Sequence, residues 1–152
     1  NEKIVFIDID YIYLNSIVGK KINSEIKKKT KELENQFNKD KKTVDDNKDK
    51  LSKQKNVLSE EEFQKKIKEL ENDIKSFNNS ISKKNNDIIK FKENAKNKFL
   101  GELNTILQNY AKQNSLDLII SKNNILLGKN NLDVTKAILL IFDKEIKKIK
   151  IE

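Results

Sequence analysis

From Ile26 to Tyr110 apolar residues recur three and four apart on a background rich in lysine, glutamate and asparagine, with Gly101 the one glycine and no proline. That spacing lines them along one face of a helix. Thr30, Phe37, Val44, Leu51 and Leu58 stand seven apart, while Ile26 and Leu33 begin a second row that decays into Asp40, Asn47 and Gln54. Half of the seam is therefore polar, which predicts a loosely packed outward helix. Ser59-Glu60-Glu61-Glu62 breaks the register with a capping box and acids suited to a new first turn, and Leu58 and Phe63 form a staple around it. The return run is more regular: Phe63, Ile67, Leu70, Ile74, Phe77, Ile81, Ile88, Phe91 and Ala95, with one polar break at Lys84, continuing through Phe99, Leu103, Ile106 or Leu107 and Tyr110. Together the runs predict an antiparallel helical hairpin over residues 20–99 with its tip at 58–62. At 1.5 Å per residue the outward arm is about 55 Å long and the return arm about 70 Å.

The period changes at both ends of the chain. Lys3 to Asp10 holds the unbroken apolar run Ile4-Val5-Phe6-Ile7, which suits a strand covered on both faces. Asp8 or Asp10 can cap a short helix through Tyr11, Leu14, Ile17 and Val18, with Gly19 as its stop or kink. Asp117–Ser121 and Ile125–Gly128, separated by Lys122-Asn123-Asn124, predict a β-hairpin. Asp133 then caps a final helix with Val134, Ala137, Ile138, Ile141 and Phe142 on one face. Residues 1–19 and 100–152 thus form a base of three strands and two helices. A sheet that small with apolar edges is marginal alone, so the architecture predicts an oligomer. The fold class is α+β, mostly α: a long coiled-coil-like helical hairpin on a small β-sheet base.

Composition narrows the chemistry. Hydrophobic residues make up 36% and charged ones 37%, too polar a balance for one large core. All 32 basic residues are lysine, and His, Cys and Met are absent, which removes the usual zinc ligands, the thiol nucleophile and the imidazole base. No metal, cofactor or catalytic residue is expected. The net charge of +8 sits entirely between Lys20 and Lys98, which holds 23 lysines and 15 acids. No apolar run approaches the ~20 residues of a membrane span, although peripheral contact with a membrane surface is compatible with this charge. The chain opens Asn1-Glu2-Lys3 without methionine, a hint of a removed leader and export.

Phe6-Ile7-Asp8-Ile9-Asp10 looks like the D-x-D opening of haloacid-dehalogenase-type phosphatases, where the first carboxylate attacks phosphate. Ile12 stands where that family expects Thr or Val, and Asp45-Asp46 falls within an arm, so a strand end and helix cap is the better reading. Nucleic-acid binding is disfavoured because lysines alternate with acids and arginine is missing.

The order of pieces resembles the Skp/OmpH family of periplasmic chaperones over essentially the whole chain. The opening strand Lys3–Ile9, the hairpin, Tyr110-Ala111 before Leu116–Ile120, the run Ile125–Leu127 and Leu132-Asp133-Val134-Thr135 carry the likeness. The resemblance implies a homotrimeric, ATP-independent holdase that keeps unfolded outer-membrane proteins between helical arms, in the periplasm. It places oligomerisation on Ile4, Val5, Phe6, Ile7, Ile9, Leu118, Ile119, Ile120, Ile125, Leu126 and Leu127. Client contacts would then fall on Phe37, Val44, Leu51, Phe63, Ile67, Ile74, Phe77 and Phe91, whose plainer role is to zip the hairpin together. A prefoldin-like or purely architectural coiled coil is the alternative, but prefoldin hairpins lie between the arm helices, whereas these strands lie outside them.

Overall fold

A computed structural model of the chain describes residues 1–151. Its elements are β1 (Ile4–Ile7), α1 (Ile9–Asn15), α2 (Ile17–Gln54), α3 (Glu60–Gln113), β2 (Leu118–Ser121) and α4 (Thr135–Glu145), with 3-10 turns at Lys122–Asn124 and Asn130–Leu132. The chain is 77% helical with one small two-stranded sheet, as expected for a mostly α member of the α+β class. It divides into two compact units, Asn1–Ile26 with Phe91–Glu152, and Lys27–Lys90.

The first unit is built around Ile7, Ile12, Val18, Ile22, Ala95, Phe99, Leu103, Ile106, Ile138 and Phe142. β1 and β2 pair in parallel, Ile4 with Leu118 through Ile7 with Ser121. Burial deepens along β1, from exposed Ile4 to Ile7 at 1% exposure, so this strand is covered at its end and open at its start. The other edge of β1 is taken by the loop before α4: Val134 N–H donates to Phe6 O at 3.0 Å, and Phe6 bridges to Asp133.

Three local expectations need correction. The β-hairpin over 117–128 does not form; only its first strand exists, and Ile125–Gly128 has no strand partner among the described residues. Lys122–Asn124 winds as a 3-10 turn without the left-handed backbone that tight hairpin turns use; among the described residues positive φ outside glycine occurs at Ser115. The helix after β1 ends at Asn15, earlier than Gly19. Ser16 is the junction: its N–H donates to Ile12 O while its Oγ accepts the Gly19 N–H at 2.9 Å, which starts α2. Gly19 lies inside α2, where the backbone of Tyr13 crosses it so closely that an added Cβ would stand 1.5 Å from Tyr13 O. Finally, Asp133 precedes the cap position, held by Val134, yet its carboxylate still accepts the Thr135 N–H at 2.9 Å.

α3 closes without glycine. Leu116 N–H reaches back to Ala111 O at 2.9 Å, and Ser115 adopts φ 52°, the left-handed closure usually given to glycine. Asp117 N–H then donates to Lys3 O at 2.9 Å, and Lys3 N–H donates to Asp117 Oδ2 at 2.7 Å. This reciprocal pair sets the start of the parallel register.

The second unit consists of the antiparallel parts of α2 and α3. α2 ends where Val57 and Leu58 N–H both donate to Gln54 O, and Ser59 Oγ accepts the Glu62 N–H at 3.2 Å. The Ser59 hydroxyl thus caps the start of α3, with Glu60, Glu61 and Glu62 in the first turn.

Candidate functional site

Two surfaces carry the residues singled out by sequence, and neither is a pocket with convergent chemistry. The first is the seam of the hairpin unit. Val44, Leu51, Phe63, Ile67, Ile74 and Phe77 are half-buried there and Phe37 is 39% exposed. Among Lys27–Lys90 only Ile88 is buried, at 8% exposure. Two helices cannot cover both sides of their own seam, so each apolar residue keeps an accessible flank.

The seam is also discontinuous. Phe37 and Phe77 stack at 5.5 Å between centroids. Where Asp40 replaces an apolar residue, Gln36 Nε2 donates to its carboxylate at 2.8 Å, so the row is closed by a polar bond instead of packing. A cavity of about 370 Å³ opens at Leu33, Lys84 and Ile88, which is where the return pattern has its polar break. A second, of about 200 Å³, lies at Leu51, Gln54 and Leu70. Phe91 is apart from this set: it packs on the core of the first unit.

The second surface belongs to the first unit. Of the eleven apolar residues expected at an oligomer interface, Phe6 and Ile7 are taken up by the unit's own core. Val5, Ile9, Ile119, Ile120 and Ile125 are half-buried. Ile4 and Leu118, which pair across the strands, are exposed, and Leu126 and Leu127 are fully so. Leu14 on α1 and Leu140 on α4 are exposed as well, at 58% and 73%. Exposed leucine and isoleucine are thus concentrated on one small unit. Sequence reasoning missed Leu14 and Leu140, although Leu14 follows the apolar spacing of α1 and Leu140 breaks that of α4.

The D-x-D carboxylates have local partners. Asp8 Oδ1 accepts the Tyr11 N–H at 3.0 Å as the cap of α1, and Asp10 pairs with Lys96 at 3.3 Å. Lys96 also sits 4.3 Å over the Tyr13 ring, and burial pushes the Tyr13 hydroxyl pKa up. Among the described residues no cluster of acids is arranged to hold a metal ion.

Buried Thr135 ties β1 to α4. Its Oγ accepts the Asp8 N–H at 2.9 Å and donates to Asp133. Burial raises the Asp133 pKa, but hydrogen bonds from the Thr135 hydroxyl and N–H, with Lys122 and Lys136 nearby, outweigh it and hold the carboxyl below its ordinary value. A carboxylate with a lowered folded pKa contributes stability above its ordinary pKa and loses it as pH falls toward the lowered one. Thermal melts should therefore show the melting temperature dropping as pH falls below about 4, with a shallower drop in Asp133→Asn. Parallel pH profiles for the two chains would remove Asp133 from this account.

Fold and surfaces together define a class: a helical-hairpin protein that offers long, shallow apolar and basic faces, carried with a small α/β unit. The profile of the OmpH-like outer membrane protein family matches residues 3–141, and the chain belongs to that family. Among solved structures, a Caulobacter crescentus CB15 protein proposed to be an OmpH-like outer membrane chaperone has the same fold, with a TM-score of 0.90 and 15% identity over 99% of this chain and 89% of that one. No curated protein sequence gives a significant match. No helix among the described residues is long and apolar enough to cross a membrane.

Proposed function

We propose that the chain is an ATP-independent holdase of the periplasm that keeps unfolded outer-membrane proteins from aggregating. The observation that carries this reading is the hairpin unit of an OmpH-like chain with a half-exposed, interrupted apolar seam amid lysines. Phe37, Val44, Leu51, Phe63, Ile67, Ile74 and Phe77 supply weak apolar contacts, and the lysine excess attracts acidic segments. Many weak contacts acting together retain a flexible client without a fixed recognition sequence. Phe91 contributes through its own unit's packing.

The base of the assembly is a homo-oligomer, a trimer by family likeness, that covers Ile4, Leu118, Leu126 and Leu127. Residues 1–19 and 100–152 serve oligomerisation and residues 20–99 serve client contact. Static light scattering with an unfolded outer-membrane barrel protein tests both parts. A multimer that suppresses aggregation is expected, with retention weakening as salt rises from roughly 0.05 to 0.5 M. A monomer that leaves aggregation unchanged sinks the proposal, and salt-independent retention sinks its electrostatic part.

A further inference from the structure

Past α4 the chain continues as Ile146–Ile151, Ile-Lys-Lys-Ile-Lys-Ile, without regular secondary structure and beyond the stretch matched to the family. It behaves as a strap. Ile146, Ile149 and Ile151 are half-buried against the core of their own unit, while Lys147, Lys148 and Lys150 are exposed. Its backbone is gripped by side chains of the two long helices. Lys21 Nζ donates to Lys147 O at 3.4 Å, and Lys98 Nζ donates to Lys150 O. An ammonium on a main-chain carbonyl reads no side chain, so this grip is indifferent to the sequence it holds.

Two open clefts flank the strap. A cavity of about 270 Å³ lies against Val18, Ile22 and Ile149, and another of about 440 Å³ against Lys98, Glu102 and Ile149. The charge of the strap fits poorly. Lys21 and Lys148 line the first cavity, Lys98, Lys148 and Lys150 line the second, and Glu102 is the one acid lining either. Like charges lining one cavity repel. An extended segment that kept the alternate apolar residues but carried acids in place of these lysines would keep the apolar contacts and carbonyl bonds and reverse the repulsion.

We propose that this groove is an exchangeable docking site for extended segments of alternating apolar and acidic residues, and that the strap is its resident, weakly held occupant. The proposal deepens the holdase reading, on which its biological use rests, by naming a class of client segment and a place for it distinct from the hairpin seam.

Fluorescence anisotropy on the full chain tests it, with labelled Ile-Glu-Glu-Ile-Glu-Ile and its counterpart with lysine at each glutamate. The acidic peptide should bind at least about tenfold more tightly, and less tightly in high salt. In the full chain carrying Lys147→Glu, Lys148→Glu and Lys150→Glu, the strap becomes the complementary occupant; affinity for the acidic peptide should fall by at least about tenfold. The three lysines are exposed, so the fold does not depend on them. Equal affinity for the two peptides, or unchanged affinity in the triple variant, overturns the proposal. Aggregation suppression is read separately. If it persists without peptide exchange, the groove fails alone; if exchange occurs without suppression, the holdase reading fails and the groove stands.

Discussion

Phe99→Ala should cost about 3–5 kcal/mol of stability, the range for removing a fully buried aromatic ring. Phe99 is 0% exposed and touches two other rings, Tyr13 edge-on at 4.8 Å and Phe142 at 4.9 Å. The residue joins α3 to both α1 and α4, elements distant in sequence, so its removal leaves a cavity that no single side chain can collapse into. At roughly 2–4 °C per kcal/mol for a chain of this size, the melting temperature should fall by about 10 °C. Phe37→Ala is the control. That ring keeps 39% of its surface exposed and pairs with one other ring, Phe77, so the loss should be nearer 1 kcal/mol. Equal losses by circular dichroism melting would contradict this division between a packed core and a half-open seam.

The same division explains what was legible in the sequence. Helix period survives translation into structure because each turn repeats the same test. The run Phe63, Ile67, Leu70, Ile74 and Phe77 faces inward as its spacing requires, and Ser59 caps the helix it precedes. The local chemistry of Asp8 was equally readable, since a cap needs only residues three apart. The polar decay of the outward row was readable too, and Gln36 with Asp40 shows what occupies it.

What could not be read depends on partners far away in the chain. Ile125–Gly128 has strand composition, but composition does not decide pairing: Lys122–Asn124 winds as a 3-10 turn, and the outer edge of β2 receives no strand among the described residues. A left-handed closure at Ser115 carried no glycine to announce it. Phe91 follows the heptad steps of the hairpin yet belongs to the core of the other unit, because one helix runs through both and periodicity does not mark where neighbours change. Burial of Thr135 was invisible for the same reason: its hydroxyl is spent on Asp8, 127 residues away.

Glycine shows most directly how two identical residues in helices obey different constraints. Neither Gly19 nor Gly101 has positive φ, so backbone freedom explains neither. At Gly101 nothing lies within 4 Å of an added Cβ, and Gly101→Ala should stabilise the chain by about 0.5–1 kcal/mol through helix propensity alone. At Gly19 the same methyl would meet Tyr13 O at 1.5 Å, Tyr13 C at 2.6 Å and Ser16 Oγ at 2.8 Å. Two of those atoms are backbone, so relief requires the α1–α2 junction to open. Opening it breaks the Ser16 cap on Gly19 and pulls Ile12 and Val18 out of the core. Overpacking costs about 1–3 kcal/mol where side chains can yield. Here they cannot, and Gly19→Ala should exceed that range. Melting temperatures moving in opposite directions for the two alanines are the expected result; a shared upward shift would mean that the junction is not closed as described.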